Sequence, residues 1–229
     1  MTKVLITGAA GGIANALIRK LLEREYSVMG LDVSTHMTFP NVELYSCDLS
    51  DEKQISDLFN TQSESFSEVD AIVHLAGIYP NKLLDSYSVE LWDKVHAVNV
   101  RSLFLVIKRM IELKDSKLKN VVITSSTAAK VGSRDPAYCS SKSALLGLAK
   151  SLSTTLAPKI RVNTILPGIV DTTMSQSQSL ERRQFHINKT LAKYIGDPSE
   201  IADVILFLLS EESNYIWGAM IDVNGGMTI

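Results

Sequence analysis

The strongest constraint on this chain is a set of seven short, almost continuously apolar runs, each followed by a stretch with helical spacing or by a turn. The runs are Val4–Thr7, Ser27–Asp32, Glu43–Cys47, Ala71–Leu75, Asn120–Thr124, Arg161–Leu166 and Met220–Val223. Successive side chains of a strand point to opposite faces, so a strand that is apolar at nearly every position must be covered on both. The segments between supply the cover: Ile13, Ala16, Leu17, Lys20 and Leu21 recur at helical spacing, as do Leu103, Val106, Ile107 and Met110. Ser50 is the expected N-cap of one helix and Pro198 the first-turn proline of a late one. Alternation of this kind predicts an α/β fold, a doubly wound seven-stranded parallel sheet with helices on both faces. With 229 residues, 45% of them hydrophobic, one such core accounts for the chain, read as a single domain over residues 1–229.

Several function classes are disfavoured. The net charge of −2 and the absence of like-charge blocks argue against a nucleic-acid or anionic-membrane partner. No apolar stretch approaches the roughly 20 residues that cross a bilayer. The first apolar run leads directly into a glycine-rich turn and is too short for a signal segment, so a cytoplasmic location is expected. Cys47 and Cys139 lack metal-ligand spacing and the four histidines are scattered, so no metal site is expected.

The first strand runs into Thr7-Gly8-Ala9-Ala10-Gly11-Gly12-Ile13-Ala14 and then a helix. A strand-to-helix turn of small residues lets backbone N–H groups and the positive end of the helix dipole approach a pyrophosphate, although glycines also make tight turns that bind nothing. Ala10 and Ile13 stand where GxGxxG would need glycine. The turn instead resembles the TGxxxGxG/A pattern of the short-chain dehydrogenase/reductase family, on Thr7, Gly8, Gly12 and Ala14, and the resemblance continues over nearly the whole chain. It implies a Rossmann-type fold and a dinucleotide against Gly8, Gly11, Gly12 and Ile13. Asp32 closes the second strand, where a carboxylate accepts hydrogen bonds from ribose hydroxyls and repels a 2′-phosphate. No cation in the glycine turn or directly after Asp32 offsets that repulsion, so NAD is expected rather than NADP; the competing reading is a strand-end cap. The resemblance also implies that Asp48 and Leu49 contact adenine and that Ala76 and Gly77 end a conserved family segment. That segment departs here at His74 and Leu75, and His74 reads as a structural histidine with a functional role left open.

Tyr138 and Lys142 stand four residues apart in a helical pattern, which places them on one face. A free phenol, with a pKa of about 10, is a poor base at neutral pH. A cation about 4 Å away contributes roughly 4 kcal/mol at an effective dielectric of about 20, enough to lower the phenol by about 3 pH units. Upstream, Asn120-Val121-Val122-Ile123-Thr124-Ser125-Ser126 resembles the strand that delivers the family's catalytic serine. The second serine of the pair points to Ser126, while counting back thirteen residues from the tyrosine lands on Ser125. The resemblance implies further that Asn99 bends its helix and holds a water beside the lysine. It also implies that Pro167, Gly168, Val170 and Thr172 pin the nicotinamide, with Tyr138 and Lys142 contacting the cofactor as well.

The sequence therefore reads as an NAD(H)-dependent oxidoreductase interconverting a secondary alcohol, or a sugar carbinol, and its carbonyl compound. Asn99, Ser126, Tyr138 and Lys142 form the catalytic set. The alternative is a non-catalytic NAD-sensing protein of the same fold. An extended-branch sugar-nucleotide epimerase fits less well, because the glycine spacing differs and the chain ends at Ile229. A homo-oligomer, tetramer or dimer, is the family habit. The polar stretch 173–195 is expected to be a substrate lid. Its Arg182, Arg183, His186, Lys189 and Lys193, against Glu181, form either a solvated basic face or a hint of an anionic substrate.

Overall fold

A computed structural model describes residues 1–34, 39–176 and 178–228. The first half runs β1 (Lys3–Thr7), α1 (Gly12–Glu23), β2 (Ser27–Asp32), β3 (Val42–Ser46), α2 (Glu52–Thr61), α3 (Ser63–Ser67) and β4 (Ala71–His74). Next, α4 (Val89–His96) passes through a π-helical turn, Ala97–Arg101, into α5 (Ser102–Glu112). The second half runs β5 (Asn120–Thr124), α6 (Ala128–Val131), α7 (Pro136–Thr155), β6 (Arg161–Pro167), α8 (Thr173–Gln176), α9 (Leu180–Lys189), α10 (Pro198–Leu209) and β7 (Met220–Val223).

The strands form one sheet in the order β3-β2-β1-β4-β5-β6-β7, and every pairing is parallel. Along β1 the side chains alternate between the two faces. Leu5 joins a core with Ile55, Phe59, Leu103, Val106, Met110 and Leu145 from α2, α5 and α7. Val4 and Ile6 join the opposite core with Leu17, Ile18, Ile201 and Ile205 from α1 and α10. The strand order turns back between β1 and β4, so the loops leaving these two strands diverge and open a crevice at their carboxyl ends.

Two local expectations need correction. The third strand starts and ends one residue earlier than expected, at Val42 and Ser46; the Cys47 N–H still reaches the Asp32 carbonyl at 2.9 Å. Asp51, not Ser50, caps α2, accepting from the N–H groups of Lys53 (2.8 Å) and Gln54 (3.3 Å). The Ser50 hydroxyl is already used, donating to Asp48 Oδ1 at 2.7 Å. Pro198 does open its helix, behind an Asp197 cap that forms a reciprocal capping box with Glu200.

Candidate active site

The carboxyl ends of β1, β4, β5 and β6 open into one cavity of about 360 Å³. At one end lie Gly8, Gly11, Gly12, Ile13 and Asp32; Gly77, Ser126, Tyr138 and Lys142 lie further along, and Pro167, Gly168, Val170 and Thr172 complete the wall. Four expected site residues do not line it: Asp48, Leu49, Ala76 and Asn99. Leu49 and Ala76 are packed in the core around α2 and α5, and the Asp48 carboxylate is held by Ser50.

The glycine end is shaped for a backbone approach. Gly8 has φ +71°, and a Cβ there would stand 2.7 Å from the Ala76 nitrogen, so only glycine fits where β1 leaves beside β4. The N-terminus of α1 at Gly11 has no side-chain cap and no acidic residue in its first turn, which leaves N–H groups directed at the cavity for an anion. Asp32 is held in place as Oδ2 accepts from the Ala10 N–H (3.0 Å) and Oδ1 from the Ser34 N–H (2.9 Å). A carboxylate so fixed still has lone pairs for hydroxyl donors. The residues present thus fit a dinucleotide.

At the other end, α7 is started by Asp135, whose carboxylate accepts the Tyr138 N–H at 2.9 Å, and by Pro136 in its first turn. Asp135 is buried and also receives the Tyr87 hydroxyl at 2.6 Å. Lys142 Nζ is buried, donates to the Thr124 carbonyl at 2.9 Å and lies 5.8 Å from the Tyr138 ring centre. Burial pulls the Lys142 ammonium down to about 8, which leaves it mostly protonated at neutral pH. Burial pushes the Tyr138 phenol up, offset in part by a hydrogen bond from Ser126. The phenol is therefore raised overall where the four-residue spacing suggested a lowering, because its burial outweighs the groups that favour the phenolate.

The serine pair divides cleanly. Ser125 is buried and donates to the Lys142 carbonyl at 2.7 Å, whereas Ser126 reaches the phenol. Asn99 lies behind the cavity in the π-helical turn, where the Ser102 N–H bonds the Ala97 carbonyl five residues back. Its side-chain oxygen accepts from the Ile78 N–H at 2.8 Å, and its amide nitrogen donates to the Ser141 hydroxyl at 2.9 Å.

His74 is fully buried between these parts. Thr7 Oγ1 accepts from the Ala76 N–H at 3.3 Å and lies 2.8 Å from His74 Nδ1, while Nε2 faces the Asn99 carbonyl at 3.5 Å. The consistent assignment has Thr7 donating to Nδ1 and Nε2–H donating to Asn99. Burial, reinforced by the Lys142 charge, pushes the imidazole down to about 3, so it is neutral at pH 7.

Tyr79 also lines the cavity, its ring meeting that of Tyr138 edge-on with centres 4.9 Å apart. Sequence reasoning missed Asp135, although an acidic residue followed by proline before a helical pattern is a legible start signal.

Fold and crevice together define the class: a doubly wound dinucleotide-type α/β protein with a tyrosine and a lysine at the switch point of its sheet. A family model described as enoyl-(acyl carrier protein) reductase matches residues 8–228. This chain belongs to the short-chain dehydrogenase/reductase family, and is an oxidoreductase of that family. It is 30% identical over 240 residues to the 3-oxoacyl-(acyl-carrier-protein) reductase of Thermotoga maritima, covering 98% of this chain and 97% of that one. Among solved structures, a short-chain dehydrogenase/reductase (glucose/ribitol dehydrogenase) from Brucella melitensis superposes with a TM-score of 0.91 at 29% identity, over 100% of this chain and 97% of that one. A 4-hydroxyisoleucine dehydrogenase complexed with NADH gives 0.92 at 26% identity, over 100% and 99%. No helix among the described residues is long and apolar enough to cross a membrane.

Proposed function

We propose that this protein is an NAD(H)-dependent oxidoreductase that interconverts a secondary alcohol and a ketone. One observation carries the reading: a single cavity joins the glycine turn and Asp32 to Ser126, Tyr138 and Lys142. Bound there, NAD would accept or return the hydride and, when oxidised, place positive charge beside the phenol. The free N–H groups at the start of α1 hold the pyrophosphate, and Asp32 receives the ribose hydroxyls and disfavours a 2′-phosphate. The Val170 backbone and Thr172 hold the carboxamide. Ser126 positions the substrate oxygen, and Tyr138 gives or takes its proton. Lys142 binds the nicotinamide ribose and stabilises the phenolate, with Asn99 keeping the lysine side of the site in register. Half-exposed Phe104 and Ile111 on α5 support a homo-oligomer, dimer or tetramer. We place the protein in the cytoplasm.

The curated relatives favour a second reading within the same chemistry, reduction of a 3-oxoacyl thioester. Nicotinamide absorbance separates the readings when the protein is offered NAD or NADP with a panel of secondary alcohols, and NADH with acetoacetyl-N-acetylcysteamine. Turnover of alcohols with NAD well above NADP is the expected result. Tyr138→Phe should then lower turnover by roughly 10²–10⁴-fold. A Tyr138→Phe protein working at the full rate overturns the acid/base assignment. Tight NAD binding without turnover of any substrate points instead to a non-catalytic sensor.

A further inference from the structure

The lid carries a polar face that the proposed chemistry does not use. Arg182 and His186 stand four residues apart on one side of α9, Gln178 lies just ahead of its Ser179 cap, and all three line the cavity. Each has a buried polar atom with no hydrogen-bond partner among the described residues: Gln178 Oε1, Arg182 Nε and His186 Nδ1. Buried polar atoms are normally paired in a folded protein, so three unpaired ones on a cavity wall indicate a polar ligand.

The lid's other cations are engaged elsewhere. Arg183 pairs with Asp171 at 2.9 Å, Lys189 lies over the Phe185 ring, and Lys193 donates to the Asn188 carbonyl at 2.7 Å. Arg182 forms no ion pair among the described residues and interacts with the Tyr79 hydroxyl, whose ring abuts Tyr138. Arg182 therefore stands one side chain away from the reacting phenol. Asp32 is the one carboxylate side chain among the described residues that lines the cavity, and it belongs to the glycine end. The nearest acid at the tyrosine end, Asp135, is outside the lining, with its oxygens occupied by Tyr87, Lys82 N–H and Tyr138 N–H.

We propose that Arg182, with His186 and Gln178, binds an anionic group of the substrate, so that the natural substrate is a small hydroxy or oxo compound bearing a carboxylate or a phosphate. This deepens the oxidoreductase reading and rests on it for the identity of the reacting carbon. An Arg⁺ offers paired donors to a planar or tetrahedral oxyanion, and His186 and Gln178 add neutral hydrogen-bonding groups.

The test is calorimetric titration of NAD-saturated protein, in which a ketone can bind but receives no hydride. Two matched pairs serve as probes: acetoacetate against ethyl acetoacetate, and dihydroxyacetone phosphate against dihydroxyacetone. The charged member of at least one pair should bind about tenfold or more tightly than its neutral partner, as expected for a charge-assisted hydrogen bond. The pair with the larger gap identifies carboxylate or phosphate as the group recognised. Arg182→Gln should reduce that preference at least tenfold, and Arg183→Gln should keep it. The proposal is overturned if neither charged probe binds better than its neutral partner, if Arg182→Gln keeps the preference, or if the charged probe is displaced by NAD. Repeating the titration without NAD separates the two hypotheses: anion binding that depends on Arg182 in a protein that turns over nothing would reject the oxidoreductase reading alone.

Discussion

Just past the end of β5, Ser125 and Ser126 both line the cavity but make different hydrogen bonds. Ser125 ties the strand to the α7 backbone at Lys142, and Ser126 reaches the Tyr138 hydroxyl. Ser126→Ala should lower kcat/KM by roughly 10²-fold, the usual effect of losing a donor at a reacting oxygen, with little change in Tm. Ser125→Ala should cost about 1 kcal/mol of stability and reduce kcat/KM less than tenfold. Steady-state kinetics beside thermal unfolding checks both, and a larger kinetic loss at Ser125 would exchange the roles. The doubt about which serine acts was present in the sequence because spacing and strand alignment pointed to different residues. The folded chain gives the two hydroxyls different partners, which favours Ser126. Gly77 shows the same dependence on packing, since a Cβ there would sit 3.4 Å from Lys142 Nζ and 3.5 Å from Asn99 Oδ1.

Among the elements, α10 ends in a way that the sequence does not reveal. Its Leu208 carbonyl accepts from Arg161 (2.9 Å) and Asn120 (2.8 Å) on the two strands beneath it. Arg161 also donates to the Ser213 carbonyl at 3.0 Å, so a buried guanidinium on β6 serves both a carbonyl in the last turn of α10 and one in the short turn that follows it. Arg161→Met should lower unfolding free energy by about 2–3 kcal/mol, since charged hydrogen bonds are lost and carbonyls stay buried. Urea denaturation measures it, while NAD affinity should stay within about twofold, because Arg161 lies outside the cavity. A loss of under about 0.5 kcal/mol would show that the capping is dispensable. The strands themselves were legible to within a residue, because two-sided burial demands continuous apolar runs. The α2 cap was misplaced because Asp51 and Ser50 are both capping residue types, and the choice turned on the bond from Ser50 to Asp48.

For the molecule as a whole, His74 links acidity to stability. Its folded pKa of about 3 lies below the ordinary histidine value, so the unfolded chain binds the proton more readily. The stabilisation is fully present above about pH 6.5 and is lost as the pH falls toward 3. His186 is also lowered, by burial and then by Arg182, and acts in the same sense. Urea midpoints measured between pH 6.5 and 5 should therefore fall, and His74→Asn should make that fall shallower by up to about 1.4 kcal/mol per pH unit, one proton's worth. An unchanged slope in His74→Asn would mean that the histidine is not held neutral. Fold class, strand order of appearance, the glycine turn and the tyrosine–lysine pair follow from the sequence alone, because periodicity and four-residue spacing are local properties of a chain. Tertiary structure decided what depends on residues far apart meeting: His74 between Thr7 and Asn99, Arg161 under α10, Tyr79 against Tyr138, and which cations of α9 face the cavity. Desolvation is likewise a tertiary property, and so the chain's spacing suggested a lowered phenol where burial in the folded wall raises it.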